Sequence, residues 1–309
     1  MTHVLALAGG VGGAKLVLGL SSLLSQECLT VVVNTGDDEE FFGLHVSPDI
    51  DTVSYNLAGI SNIEAGWGIE GESFRMLQRL ESLGVDTWFK LGDLDLATHV
   101  RRTQLLRSGH TLSDTTGIIC RSMGINHEII PMTDGQVRTV LQTTEGSLKF
   151  QEYFVQRKCE PIVTDITYTG SELYEASSGF KRAMDVSDVL VFCPSNPFLS
   201  IAPMLVLKDI RKKIAAFTGP RVVVSPVIGG RALKGPTSKI LEELDHEVSS
   251  LGIARMYQGI CDTFVLDNTD IDFEADISKL GMDVCVTDTI MESLEDKIGL
   301  ARVILEICN

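Results

Sequence analysis

The amino-acid sequence predicts an α/β fold: a parallel sheet with helices on both faces and an inserted antiparallel β subdomain. Three observations support this prediction. The chain opens with an apolar strand that leads through a glycine turn into an apolar helix. Strand and helix signals alternate along most of its length, and a β pattern with a period of two interrupts them near the middle. Such a sheet is Rossmann-like, and it binds ligands where its strands end.

The first part of the chain supplies two strands and several helices. The strands cover residues 3–8 and 29–34, and the second of them is a β-branched run. The helices predicted here cover residues 16–24, 71–83 and 94–107, with another that begins after Ser113, a candidate N-cap.

The middle of the chain, from residue 127 to about 169, has the pattern of antiparallel strands. The residues that share one face are Val137, Thr139, Leu141 and Thr143. A turn follows at Glu145, and the return strand covers 147–155. We therefore divide the chain into a Rossmann-like core, residues 1–126 and 181–309, and an inserted β-rich subdomain, residues 127–180. The insert could cover a site or form the contact of a homodimer.

After the insert, the alternation of strands and helices resumes. The predicted strands cover residues 188–193, 221–225, 263–266 and 283–287, and the predicted helices cover 201–217, 237–251 and 293–307. The sequence has no repeat and no obvious linker, so we expect the core and the insert to fold together.

Composition excludes several classes of protein. The 309 residues carry a net charge of −16, which argues against binding to nucleic acid or to an anionic membrane. No apolar run approaches the ~20 residues of a membrane span, and the N-terminus does not read as a signal peptide. The seven cysteines form no CxxC pair, which is typical of reduced thiols in the cytoplasm. A small phosphorylated ligand remains compatible with the acidic charge, because a local basic pocket suffices.

Residues 9–15, with the sequence GGVGGAK, have the pattern of a phosphate site. Glycines leave backbone N–H groups bare, the helix N-terminus adds partial positive charge, and Lys15 adds a full charge. The motif is not a Walker A loop, because Leu16 stands where a hydroxyl would serve a metal ion, and Lys15 disfavours a dinucleotide fingerprint. The alternative is that the glycines serve tight packing only.

Polar residues also follow the second strand. Asn34 and Thr35 can hydrogen-bond a ligand, and Asp37 or Asp38 could reach a ribose or a base. A simple Asx turn is the alternative for each of them. Because neighbouring parallel strands end at one edge of a sheet, we expect this segment to face the glycine turn.

Asp49 and Asp51 are separated by one residue. Two carboxylates at this spacing can serve one hard cation such as Mg²⁺, with phosphate oxygens completing its shell. The alternative is the first turn of a solvated helix, where acidic residues are common. Beside a phosphate loop, the pair favours contact with a metal ion or a substrate.

Three more junctions carry candidate residues. Residues 88–93 (WFKLGD) precede a helix that contains His99, Arg101 and Arg102. Aromatic faces suit a flat ring ligand, and cations suit phosphate. The alternative is that Trp88 fills the core and that the two arginines are surface charges. Residues 193–200 end a buried strand with a proline-fixed turn. Residues 225–236 combine a Gly-Gly pair with Arg231 and Lys234, which predicts a second anion-binding loop.

The six histidines are dispersed, and the sequence contains no nucleophile elbow such as GxSxG. Chemistry by positioning, a metal ion and cations therefore fits better than a covalent enzyme intermediate. Phosphoryl-type transfer is the reaction class with that profile.

Together these segments resemble the 2-phospho-L-lactate transferase family, and the similarity runs over essentially the whole chain. The matching segments are residues 8–15, 34–38, 88–93, 194–203 and 225–230. The family makes the deazaflavin coenzyme F-420: it joins a lactyl or enolpyruvyl diphosphoguanosine to the deazaflavin Fo, releases GMP and needs Mg²⁺. The resemblance therefore implies a Mg²⁺-dependent transferase with two ligands, a guanosine diphosphate ester and Fo.

The resemblance also implies roles for individual residues. The nucleotide side would comprise Gly10, Gly12, Gly13, Lys15, Asn34, Thr35, Gly36, Asp37, Ser195, Asn196, Pro197 and Ser200. The deazaflavin side would comprise Asp51, Thr52, Trp88, Lys90, Leu91, Gly92 and Asp93. Asp49 and Asp51 would be the catalytic residues and metal ligands, and the sequence leaves open which of them acts as the base.

A non-enzymatic alternative is a nucleotide-sugar-binding regulatory protein of a related fold family. Such a protein would need the nucleotide pocket but no ring-binding segment, so Trp88 and the paired aspartates favour the enzyme. An NAD-dependent oxidoreductase is disfavoured, because Lys15 occupies the third glycine position of its fingerprint.

Overall fold

A computed structural model of the chain describes residues 2–64, 66–232 and 235–308. Its strands are β1 (Val4–Ala8), β2 (Leu29–Val33), β3 (Glu39–Phe41), β4 (Leu44–Val46), β5 (Glu128–Pro131), β6 (Arg138–Thr143), β7 (Gly146–Lys149), β8 (Val163–Thr169), β9 (Val189–Phe192), β10 (Arg221–Val224), β11 (Val227–Ile228), β12 (Arg231–Ala232), β13 (Thr263–Asp267) and β14 (Asp283–Thr287). Its helices are α1 (Gly10–Leu23), α2 (Pro48–Leu57), α3 (Arg75–Ser82), α4 (Asp93–Arg107), α5 (Leu112–Ser122), α6 (Ser178–Val186), α7 (Ala202–Leu205), α8 (Ile210–Ala215), α9 (Thr237–Glu243), α10 (Ser250–Met256), α11 (Glu274–Ser278) and α12 (Leu294–Ile307). None of these helices has the length and apolar character that crossing a bilayer requires.

The main sheet has seven parallel strands in the order β14-β13-β10-β9-β1-β2-β5. The chain runs from β1 outward to β2 and β5, and then returns to β9 on the other side of β1. The strand order therefore reverses at β1, which makes the carboxyl end of this strand the expected crevice for a ligand. The predicted α/β fold class is confirmed.

The alternation of side chains along β1 divides the core into two layers. Val4 and Ala6 pack with helices α1, α2, α5 and α12 on one face, whereas Leu5 and Leu7 pack with α6, α8, α9 and α10 on the other. All four side chains are fully buried. Each large apolar side chain buried in this way contributes about 1.5–3 kcal/mol relative to exposure, which is why both faces of the sheet must be covered.

A separate antiparallel sheet of three strands, in the order β7-β6-β8, packs against the second layer through side chains such as Leu141. Its central strand β6 shows the predicted alternation of buried and half-buried residues. Two expectations in this region are wrong. β5, within residues 127–180, pairs in parallel with β2 as the edge of the main sheet. The return strand ends at Lys149, and a π-helical turn, Glu152–Gln156, follows it.

Several helix predictions need correction. The helix predicted over 16–24 begins at Gly10, so the glycine turn is the first turn of α1. The helix predicted from residue 71 begins at Arg75. Thr111, not Ser113, caps α5, because Asp114 completes a capping box with Thr111. The helices predicted over 201–217 and 237–251 each divide in two, and Asp209 (φ +63°) and Asp245 (φ +57°) adopt left-handed conformations at the breaks. The hairpin β3–β4 was not predicted, since three-residue strands carry little periodicity.

Candidate active site

A cavity of about 790 Å³ lies at the carboxyl ends of β1, β2, β9 and β10. Its walls are the glycine turn, the first turns of α2, residues 88–91, the π-helical turn after β7 and the segments after β9, β10 and β14. A volume near the upper end of the usual range of about 300–1,000 Å³ is ample for a small-molecule site. The cavity therefore occupies the crevice that the strand order predicts.

The glycines of the turn differ in what their backbones approach. Gly10 has φ +64°, and a Cβ there would meet nothing closer than Asp49 Oδ1 at 3.6 Å, so this position opens into the cavity. A Cβ on Gly12 would lie 2.2 Å from the carbonyl oxygen of Pro194, and one on Gly13 would lie 2.7 Å from Ser195 Oγ. Tight packing therefore requires Gly12 and Gly13, and Gly10 is the glycine that gives a ligand access to the backbone.

The turn after β9 supports the glycine turn through hydrogen bonds. Ser195 Oγ accepts from the backbone N–H of Gly9 (3.1 Å) and donates to its carbonyl oxygen (2.8 Å). Asn196 Oδ1 caps the next turn, and its Nδ2 donates to Thr237 Oγ1 (3.0 Å). Both residues, which are predicted nucleotide ligands, therefore also hold the wall of the cavity in place.

Asn34 joins the end of β2 to helix α2. Its Nδ2 donates to Asp49 Oδ2 (2.9 Å), Asp37 Oδ1 (3.3 Å) and the carbonyl oxygen of Leu199 (3.2 Å). Its Oδ1 accepts from the N–H of Gly36 (2.8 Å). The amide thus holds two carboxylates in place beside the cavity.

Three acidic side chains, Asp37, Asp38 and Asp49, are buried close to one another beside the glycine turn. Burial raises the pKa of Asp49 to about 6, although Asn34 donates to it. Burial, and then repulsion from Asp49 and Asp38, raise the pKa of Asp37 well above its usual range. Asp38 Oδ2 accepts from His45 Nε2 (2.9 Å), whereas its buried Oδ1 has no hydrogen-bond partner. This corner of the site would be stabilised by a cation.

Asp51 has different partners from Asp49, although both lie in the first turn of α2. Arg102 donates to Asp51 through both terminal nitrogens, NH1 to Oδ2 at 3.1 Å and NH2 to Oδ1. Burial raises the pKa of Asp51, and the charge of Arg102 acts against that increase. Among the described residues, Asp51, Asp95 and His99 form the one group of three His, Cys, Asp or Glu side chains close enough to hold an ion.

An aromatic cluster lies beside these residues. Phe41 stacks on Phe89 with ring centroids 3.8 Å apart, and Trp88 meets the Phe41 ring edge-on at 5.4 Å. Trp88, Phe89, Lys90 and Leu91 line the cavity, as does Thr52. Trp88 therefore both packs in a small apolar cluster and presents a surface to the cavity.

A second aromatic wall was not predicted. The rings of Phe150 and Phe154 stack with centroids 5.5 Å apart, and both line the cavity together with Trp67. Gln151, between them, donates from Nε2 to Asp37 Oδ2 (3.3 Å). The spacing Phe-x-x-x-Phe is a helical signal, which the strand predicted over 147–155 leaves out of account.

Gly92 and Asp93, which are predicted to contact the deazaflavin, lie where helices α3 and α4 begin. Asp93 accepts hydrogen bonds from Ser73 Oγ and from the N–H groups at the start of α3. Glu72 accepts from the N–H groups of Leu94 and Asp95 at the start of α4 (2.8 and 2.7 Å). A Cβ on Gly92 would collide with the Glu72 carboxylate. Asp93, the first residue of α4, therefore caps α3, and Glu72, which precedes α3, caps α4.

The structure places some of the predicted residues in the cavity lining and others outside it. Lining residues are Gly10, Gly12, Lys15, Asn34, Asp37, Asp49, Asp51, Thr52, Trp88, Lys90, Leu91, Ser195, Asn196 and Ser200. Gly13, Thr35, Gly36, Pro197, Gly92 and Asp93 are not part of the lining. Lys15 Nζ donates to the carbonyl oxygen of Met291, which is also in the lining (2.5 Å).

The predicted second anion loop is described only in part. Pro226 and Ile228 line the cavity, and the N–H of Gly229 donates to both carboxylate oxygens of Asp270. The side chain of Arg231 and all of Lys234 lie outside the described residues. Arg101, on α4, is exposed, its NH1 donates to Gln104 Oε1 (2.8 Å), and it is not part of the cavity lining.

Fold and site together define an α/β ligand-binding protein whose cleft lies at the switch point of a parallel sheet. The sequence profile of one family, described as 2-phospho-L-lactate transferase CofD, matches residues 4–290. The chain belongs to this family, which confirms the resemblance that the motifs indicated, and it is a transferase.

Individual relatives align with nearly the whole chain. A 2-phospho-L-lactate transferase of Methanocaldococcus jannaschii is 37% identical over 310 residues, 99% of this chain and 98% of the relative. One from Methanopyrus kandleri is 39% identical over 305 residues, 97% and 96% of the two chains. A phosphoenolpyruvate transferase of Streptomyces griseus is 36% identical over 313 residues, 99% and 98%.

A solved structure shares the fold at low sequence identity. It is a UPF0052 family protein from Bacillus halodurans, 14% identical, with a TM-score of 0.63 and 98% of each chain covered. At this identity the likeness concerns the architecture alone.

Proposed function

We propose that the protein is a Mg²⁺-dependent transferase of coenzyme F-420 biosynthesis. It moves a 2-phospholactyl or phosphoenolpyruvyl group from a guanosine diphosphate ester to the ribityl hydroxyl of Fo, and it releases GMP. The observation that carries the proposal is a single cavity that combines a glycine turn, two buried aspartates of α2 and an aromatic wall. Relatives named for either acid support both donors.

The donor diphosphate would bind at the open end of the glycine turn. Gly10 leaves its backbone accessible, and the N-terminus of α1 provides a partial positive charge. Lys15 lines the same wall. An acidic protein can bind a phosphate ester in this way because the positive charges of the α1 N-terminus and of Lys15 lie at the binding site itself.

Mg²⁺ fits the corner formed by Asp37 and Asp49. Both carboxylates accept from the same Asn34 amide, and the nearby Asp38 Oδ1 is buried without a hydrogen-bond partner. Oxygen donors of this kind are the ligands that Mg²⁺ prefers. When bound, the ion would neutralise charge on the transferring phosphoryl group. At Asp51 the positive charge already comes from Arg102, so we propose Asp49 as the ligand and Asp51 as the base.

Fo would bind on the aromatic side, with its ring near Trp88 and its ribityl chain directed toward Asp51. The hydroxyl oxygen attacks the phosphorus that carries the 2-hydroxy acid, and its proton passes to Asp51. The bond between that phosphorus and the oxygen of GMP breaks, so GMP leaves with the bridging oxygen. Positioning of the two ligands provides much of the rate enhancement expected for this class of reaction.

The test is a turnover assay with the guanosine diphosphate ester of either acid, Fo and Mg²⁺. We expect GMP and a phosphodiester of Fo in equal amounts, and D51N should lower kcat by about a hundredfold or more, as for loss of a general base. GDP binding without product from either donor would favour the regulatory alternative. The homodimer and the cytoplasmic location stay predictions from the sequence.

A further inference from the structure

We propose that Arg102 and His99 are positioning residues, which hold the Asp51 carboxylate in one orientation toward the cavity. The inference rests on the proposed function, because it adds two residues to the same site. Both side chains belong to α4 and are 99% buried, and neither matches a motif of the family resemblance.

The first step is the pair between α4 and α2. The guanidinium of Arg102 donates from NH1 to Asp51 Oδ2 (3.1 Å) and from NH2 to Asp51 Oδ1. A fork that holds both oxygens fixes the plane of the carboxylate, whereas a single contact would leave it free to rotate. The orientation of Asp51 is therefore set by a residue on another helix.

The second step is the protonation pattern of His99. Arg102 NH1 also lies 3.1 Å from His99 Nδ1. Because a guanidinium has donors and no acceptor, Nδ1 must accept, and the ring proton of the neutral imidazole resides on Nε2. His99 therefore provides the acceptor that orients the guanidinium fork.

The third step is what holds the imidazole ring. His99 Nε2 lies 3.2 Å from Asp95 Oδ1 without the alignment of a hydrogen bond, so this contact is electrostatic, and the same oxygen accepts from the Tyr55 hydroxyl (2.6 Å). Burial and the two nearby carboxylates raise the pKa of Tyr55, so this hydroxyl stays a donor. The chain of contacts runs from Tyr55 through Asp95, His99 and Arg102 to Asp51.

The arrangement also explains why the group of Asp51, Asp95 and His99 need not hold a metal ion. Arg102 supplies a fixed positive charge in contact with Asp51 and His99. A lysine could supply the charge but not the fork, since an ammonium is a point charge on a flexible stem. R102K therefore separates orientation from charge.

The experiment compares R102K with R101K, its exposed neighbour on α4. For R102K we expect kcat to fall about 10–100-fold, the usual effect of removing a residue that orients a site group, with GDP affinity within twofold of wild type. R101K should keep kcat within twofold. An R102K enzyme with wild-type kcat overturns the proposal, whereas a wild-type protein without turnover overturns the proposed function instead.

A spectroscopic readout tests the tautomer without turnover. With ¹⁵N-labelled histidine, the His99 resonances should show a protonated Nε2 and an unprotonated Nδ1, and the Nδ1 shift should move in R102K. A protonated Nδ1 in the wild-type protein would overturn the inference. Where R102K does not fold, H99N and H99L replace it: H99N keeps an acceptor for Arg102 and should retain kcat within about threefold, whereas H99L should lose about tenfold. Equal kcat in these two variants also contradicts the proposal.

Discussion

Asn34 and Asp49 form a buried hydrogen bond, with 2.9 Å between Nδ2 and Oδ2, that joins the end of β2 to the first turn of α2. The same nitrogen lies 3.3 Å from Asp37 Oδ1. One neutral amide therefore stands between two carboxylates whose pKa values are raised by burial. A divalent cation would supply the positive charge that stabilises the ionised carboxylates, which a neutral amide cannot supply.

The first prediction concerns protons and Mg²⁺. Because the pKa of Asp49 is raised to about 6, this carboxyl is protonated below that pH and ionised above it. We expect Mg²⁺ to bind more weakly as the pH falls below about 6, and binding near pH 5.5 to release a proton. Calorimetry in two buffers of different ionisation enthalpy measures the release. The release should be smaller in D49N, where Asp37, whose pKa is also raised, stays as a source of protons, and an undiminished release from D49N would exclude Asp49 as a source.

The second prediction concerns two glycines of one turn. G12A should reduce the free energy of unfolding by about 1–3 kcal/mol, because its Cβ would lie 2.2 Å from the carbonyl oxygen of Pro194. G10A should cost about 1–2 kcal/mol for its left-handed backbone and also weaken GDP binding, since this position opens into the cavity. Urea unfolding and GDP titrations of both variants provide the measurements. A stable G12A with lost GDP affinity would instead support a direct phosphate contact at Gly12.

The third prediction concerns the aromatic wall. W88A removes a ring that lines the cavity and packs edge-on against Phe41. Stacking contributes about 0.5–1.5 kcal/mol beyond burial, so the affinity for Fo should fall by roughly 2–13-fold, and GDP affinity should not change. W88F keeps an aromatic face and is the matched control. If the two affinities fall together in W88A, the ring supports the fold of the cleft and does not bind Fo.

The fourth prediction concerns the reciprocal caps of α3 and α4. E72Q and D93N should each lower the free energy of unfolding slightly, because each removes a negative charge that stabilises a helix N-terminus, and the KM for Fo should stay at the wild-type value. D86N, at an exposed acid nearby, is the control for charge alone. A tenfold increase of KM in D93N, with unchanged stability, would restore this residue to the acceptor site.

Much of the site could be predicted because its signals are local. A glycine turn at the start of a helix and polar residues directly after a strand are short segments, and parallel strands bring their ends to one edge. Asn34, Asp49 and Lys15 were found in this way, and they line one cavity. Family and fold class followed from the same segments.

The remaining features depend on contacts between residues that are distant in sequence. The packing role of Gly12 depends on Pro194, and Arg102 belongs to the site because α4 places it against Asp51, 51 residues earlier. A sequence pattern cannot reveal which helix faces which. β5 was mistaken for an antiparallel strand because the two kinds of strand use the same residue types, and only the partner, β2, distinguishes them.

The hydrogen bonds between Gly9 and Ser195 join residues that are 186 positions apart. During synthesis at about 5–20 residues per second, the glycine turn leaves the ribosome roughly 10–40 s before its supporting serine. The nascent N-terminal segment therefore contains the glycine motif before Ser195 is available to hold its backbone in the shape of an anion site. We expect the ability to bind GDP to emerge only after β9 has joined β1, as a late event of folding.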